Sequence, residues 1–135
     1  MTFSFGEKRC RKNLPLGDAV KPPPYVTLIQ TDYIQLAGDV NTSRESLVEL
    51  GMVDCPNARW RIPFDSSNVN AFEDEALIAL VTRLCELNVC FGEDFKQLCS
   101  PAAYMRELRS RGILDSPFDC IVFRGPNNWF TTNTP

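Results

Sequence analysis

The chain has 135 residues, no histidine, six cysteines and a formal net charge of −3. Its length suits one domain, and 44% hydrophobic with 23% charged residues is the balance of an ordinary globule rather than a disordered segment. The missing imidazole removes Ser-His-Asp and Cys-His hydrolysis, histidine-containing zinc sites and imidazole proton shuttling.

Residues 1–24 read as a basic arm with a charge balance of +3, in which Lys8, Arg9, Arg11 and Lys12 cluster. It ends in Pro22, Pro23 and Pro24, which favour a stiff polyproline II stretch. Residues 25–135 follow as one α+β domain. Between Tyr25 and Leu36 the chain is β-branched and aromatic, which predicts one strand or two with a break near Gln30, Thr31 and Asp32. Thr42 and Glu45 have capping-box spacing ahead of a short helix through Leu47, Val48 and Leu50 that stops at Gly51. Trp60, Arg61 and Ile62 form a short predicted strand ended by Pro63.

The second half carries a clearer periodicity. Asn70 reads as a helix start, with Glu73, Asp74 and Glu75 in the first turn, where the dipole favours negative charge. Ala76, Leu77, Leu80, Val81, Leu84 and Leu87 recur at helical spacing and mark a central buried helix running to about Asn88. A brief helical piece with Phe95, Leu98 and Cys99 is expected next. Ser100 and Pro101 then supply a cap and a first-turn proline for a helix bearing Tyr104, Met105 and Leu108, closed by Gly112. Residues 118–123 and 129–132 flank a turn at Gly125, Pro126, Asn127 and Asn128, the pattern of a β-hairpin.

From Asn70 to Thr132 this succession resembles a winged helix-turn-helix over about 60 residues, by layout rather than by a diagnostic motif. That resemblance implies that Arg106 and Arg109 face a groove, with Arg111 nearby, and that Arg124 contacts phosphate beside the wing. Together with Lys8, Arg9, Arg11 and Lys12 they are the candidate nucleic-acid residues. Against this stands a sequence pI near 4.9, whereas dedicated nucleic-acid binders carry a basic domain. Residues 25–72 balance to −3 and residues 73–100 to −4, forming an acidic belt in the middle of the chain.

No chemical motif competes with a binding role. Cys85, Cys90 and Cys99 lack the paired close spacing of a zinc knuckle, and Cys55 has neither an adjacent base nor a neighbouring lysine. Consecutive carboxylates at 73, 74 and 75 point about 100° apart on a helix and do not converge on one ion. No catalytic residue, metal or cofactor is assigned. The longest apolar run, Ala76 to Val81, is far below the ~20 residues that span a bilayer, and no signal-peptide core follows the N-terminal basic residues. A cytoplasmic setting and no membrane partner are expected.

The sequence therefore predicts an α+β domain with a strand-rich N-terminal portion, a central buried helix and a C-terminal helix-plus-hairpin unit. The first functional reading is a non-enzymatic interaction protein, a small regulator or inhibitor of the mobile-element or viral type. Its partner is a protein, with one that handles nucleic acid among the candidates. Trp60, Tyr104, Asn127, Asn128 and Trp129 are the candidate contact residues, because aromatic side chains dominate interface hot spots. The alternatives are a winged-helix nucleic-acid binder and, third, a small enzyme such as an ADP-ribosyltransferase.

Overall fold

A computed structural model describes residues 21–55, 59–93, 100–125 and 128–134. The expected short helix with Phe95, Leu98 and Cys99 lies outside them, as do Lys8, Arg9, Arg11, Lys12 and Asn127. Strand β1 (Tyr25–Ile29) and strand β2 (Tyr33–Ala37) form a hairpin whose turn falls at the expected break. A 3-10 turn (Val40–Ser43) leads into helix α1 (Arg44–Glu49), followed by β3 (Val53–Cys55) and β4 (Arg59–Pro63). Helix α2 (Glu75–Glu86), β5 (Cys90–Glu93), helix α3 (Pro101–Ser110), β6 (Phe118–Gly125) and β7 (Asn128–Thr134) complete the described chain.

The strands form one seven-stranded mixed sheet in the order β3-β4-β2-β1-β5-β6-β7. Strands β1, β5 and β6 are mutually parallel, and the remaining neighbours are antiparallel. Val26 pairs with Leu36 and Phe91, Phe91 with Cys120, and Ile34 with Ile62, so these side chains share one face. That face packs under Leu47 of α1, Leu77, Val81 and Leu84 of α2, and Ala102, Met105 and Leu108 of α3 in a single buried cluster. The fold is mixed α+β, with the sheet dominant over the helices.

Several local details differ from the sequence expectation for identifiable reasons. The box expected at Thr42 and Glu45 is replaced by the 3-10 turn, whose backbone serves the helix start: Arg44 N–H donates to Asn41 O. The Thr42 hydroxyl donates back to Asp39 O at 3.1 Å. Asn70 caps a turn instead of a helix, accepting from Phe72 N–H at 2.9 Å, and α2 starts with Asp74 as its N-cap. Strands β3 and β5 were unmarked in the sequence, being three and four residues long. Strand β5 joins α2 to α3 through the middle of the sheet, while the expected C-terminal hairpin is present as β6–β7 at its end. The helix expected from Ser100 and Pro101 is α3, with the Ser100 hydroxyl accepting from Ala103 N–H at 3.1 Å.

Residues 22–24 are tied to the sheet: Asp39 N–H donates to Pro22 O and Cys90 N–H to Pro24 O. Gly38 has φ +86°, and a Cβ there would lie 2.2 Å from Pro23 O. No helix among the described residues is long and apolar enough to cross a membrane. Gly38→Ala should lower the unfolding free energy by about 1–3 kcal/mol, because it adds left-handed strain and displaces the proline segment. Urea denaturation of the two proteins measures this.

Candidate interaction surface

The carboxyl ends of β1, β5 and β6 lie at one end of the sheet, where the chain leaves β1 toward β2 on one side and β5 toward β6 on the other. In open α/β sheets, ligands and partners use such an end. The N-termini of α2 and α3 open there too, since α2 runs back to feed the start of β5 and α3 begins beyond its finish. A pocket of about 150 Å³ lies at this end, walled by Ile29, Phe64, Val69, Ala71 and Leu77 with Asp74 at its margin. Four exposed carboxylates neighbour its lining residues in the chain: Asp32 follows Thr31, Asp65 lies between Phe64 and Ser66, and Glu73 and Glu75 flank Asp74. None of the four is in an ion pair among the described residues. Val69 stands fully exposed in the same loop.

The loop from Phe64 to Asp74 is held in place from both sides. Asp74 is 2% exposed and accepts hydrogen bonds from the Ser66 and Ser67 hydroxyls at 2.7 and 2.8 Å, from Ser67 N–H and from Leu77 N–H. Burial alone would raise the Asp74 carboxyl, but the donors on Ser66, Ser67 and Leu77 outweigh it and hold the group below its ordinary value. On the other side the Tyr104 hydroxyl donates to Ala71 O at 2.8 Å. The Phe72 ring stacks on Tyr104 at 5.4 Å between centroids and receives the Arg111 guanidinium at 4.2 Å. An acidic rim on an anchored loop presents its charges without an ordering cost on binding.

The face of the sheet away from the helices satisfies itself in two halves. Arg61 lies 4.2 Å over the Tyr33 ring and donates through Nε to Gln35 Oε1. The Gln35 amide in turn donates to the Thr27 hydroxyl, so both polar ends of the buried Gln35 side chain have a partner. The other half is apolar: Cys90, Ile121 and Trp129 form a second buried cluster against Tyr25, whose ring meets Phe123 at 5.2 Å. Burial raises the Tyr25 hydroxyl above its ordinary value.

The sequence candidates are distributed across these regions and do not form one site. Arg106 donates to the buried Glu93 carboxylate, a bond that raises its guanidinium further, and Arg109 donates to Asp115 O and Ser116 O. Arg111 pairs with Glu107 at 2.8 Å, and Arg124 lies 4.9 Å over the Phe130 ring, exposed. Trp60 is half-buried against the main core, Tyr104 and Trp129 are buried, and Asn128 is exposed. The acidic rim was missed as a site. Its signal was the negative balance of residues 25–100, of which the fold brings Asp32, Asp65, Glu73 and Glu75 toward one end and leaves Asp39 and Glu86 at the other.

Among the described residues no three histidine, cysteine, aspartate or glutamate side chains group to hold a metal. Cys85 is pushed up to about 12 by burial first and by Asp119 and Glu86 next, with Arg109 opposing. No protein-family model, no curated protein and no solved structure matches the chain.

Two outcomes follow for this region. Removing the cap with Asp74→Ala should cost about 1–2 kcal/mol at neutral pH. The wild-type contribution is in force above the ordinary value of 3.8 and is lost as pH falls through the lowered folded value. Denaturant melts at a series of acidic pH values should therefore show the variant and wild type converging as pH drops. Among the four described thiols, alkylation at pH 8 of the folded protein should modify half-exposed Cys55 first. Cys85 should react at least ~100-fold more slowly than in urea, read by peptide mass spectrometry.

Proposed function

We propose that the chain is a non-enzymatic protein-interaction module, a small regulator or inhibitor that docks its acidic sheet end on a basic surface of a partner. The observation that carries this reading is a pocket whose lining residues are chain neighbours of Asp32, Asp65, Glu73 and Glu75, all four exposed and outside any ion pair among the described residues. Apolar depth with a charged rim is the anatomy of a protein contact: the pocket takes an anchoring side chain, and the rim steers and orients the approach. A basic partner surface is typically one that otherwise meets nucleic-acid phosphate, so an acidic module of this kind competes for it. The anchoring roles of Tyr104 and Phe72 fit the same reading, since they hold the rim in place.

Within the described residues the nucleic-acid alternative keeps one supporting feature, the exposed Arg124 on the terminal hairpin; its basic arm, Lys8, Arg9, Arg11 and Lys12, lies outside them. Its other helix arginines, Arg106, Arg109 and Arg111, are committed to Glu93, to the carbonyls of residues 115 and 116, and to Glu107. The winged-helix arrangement would need them turned outward together.

Affinity purification with and without nuclease separates the two readings. Wild-type protein should retain a nuclease-resistant protein partner at low salt, and the double variant Asp32→Lys/Glu73→Lys should retain it roughly tenfold less. Retention that vanishes with nuclease, or that is unchanged by the double variant, overturns the proposal. So does turnover of a nucleotide cofactor by the purified chain.

A further inference from the structure

A second cavity, of about 320 Å³, lies at the opposite end of the sheet from the acidic loop, where α2 finishes and β6 begins. Its volume reaches the range of small-molecule sites, which combine apolar walls with a few converging polar groups. Both parts are present. Val89, Pro117 and Phe118 supply apolar wall, while Cys85, Asn88 and Asp119 come to it from α2, the turn after α2, and β6. The charge balance there favours a cation. Asp119 is half-buried, and its Oδ1 accepts from the Asn133 amide at 2.6 Å. It makes no ion pair, and its Oδ2 has no partner, among the described residues. Glu86 also lines the cavity, and its pair with Arg83 at 3.1 Å is exposed, so it competes weakly.

We propose that this cavity binds an organic cation, with an ammonium or guanidinium head on Asp119 and an aliphatic stem along Val89, Pro117 and Phe118. The Cys85 thiol registers the field such a head would meet. Burial first, then Asp119 and Glu86, push it up to about 12, so it stays a neutral wall and neither a base nor a nucleophile. Arg109, which opposes those carboxylates at Cys85, is held by the carbonyls of residues 115 and 116. The C-terminus of α2 adds partial negative charge on the same side. A bare metal ion fits less well: the cavity is too large for one, and no three ligating side chains group among the described residues. A head of several N–H donors answers the unpartnered Asp119 oxygen with charge-assisted hydrogen bonds, and burying the stem removes apolar surface from water. Either a free amine or the arginine side chain of a peptide carries that chemistry.

The cavity is distinct from the acidic sheet end, so its test stands apart from that of the binding role. The full chain, isotopically labelled, is titrated and followed by amide NMR. Agmatine stands for the free cation, N-acetylarginine amide for the peptide side chain, and pentanol for a stem without charge. At least one of the two cations should shift the amides of Cys85, Asn88 and Asp119 saturably, with a dissociation constant of about 1 mM or tighter, and the tighter of the two identifies the source. Pentanol should not, a comparison that needs no variant. Asp119→Asn keeps an acceptor for the Asn133 amide and should weaken binding at least ~10-fold. Glu75→Gln should leave it unchanged, which separates a built site from general attraction to a net-negative chain. Absence of a saturable shift with both cations up to about 10 mM overturns the proposal. Equal binding of pentanol, indifference to Asp119→Asn, or equal loss in Glu75→Gln overturns it as well.

Discussion

A seven-stranded sheet has two faces, and the helices of this chain bury one of them. That asymmetry constrains everything else. On the covered face, Val26, Leu36, Ile62, Phe91 and Cys120 sit against α1, α2 and α3 in one continuous core. On the other face, among the described residues, no helix packs, and side chains engage one another. They do so through the Arg61–Gln35–Thr27 chain on one half and the Trp129–Ile121–Cys90 cluster on the other. A glutamine 5% exposed in a sheet would be costly without those partners.

The same layering fixes where charge can go. With the apolar residues of α2 turned inward, its first turn and the preceding loop project beyond the sheet. Their carboxylates then share space with Asp32 from the β1–β2 turn, whose carbonyl accepts from Phe64 N–H at 3.0 Å. Asp74, alone among them, turns inward, where Ser66 and Ser67 neutralise its cost of burial. One carboxylate thereby becomes structural and its neighbours become surface. This division is electrostatic in origin, because an inward carboxylate needs donors: the loop supplies two hydroxyls and one amide, and the first turn of α2 a second amide.

Arginine usage follows a comparable logic. The basic residues of α3 look like a ready nucleic-acid stripe in the sequence. Helical spacing turns Arg106 toward β5, and the helix end brings Arg109 and Arg111 over the loops before β6 and α2. Each finds an acceptor or ring within reach. A guanidinium carries several donors in a fixed fork, so it serves well as a clamp between elements. Charge counted along a sequence records how many arginines exist and is silent on which are already spoken for.

Local rules were enough for the elements with local causes. The 3.6-residue periodicity from Ala76 to Leu87 determined α2, the Ser100–Pro101 cap determined the start of α3, and Gly112, at φ +74°, determined its end. The turn residues between 123 and 129 determined the hairpin. Strands β3 and β5 were beyond reach of the sequence, because each is too short for a period-two pattern and exists through its neighbours. Gly92 shows why: it lies so close to β1 that a Cβ would come 2.9 Å from Val26 O, a requirement set by a strand 66 residues away. The gathering of Asp32, Asp65, Glu73 and Glu75 and the burial of Tyr104 and Trp129 were decided by the tertiary structure alone. Each depends on which strand lies beside which, and strand order is a long-range choice that no local run of residues encodes.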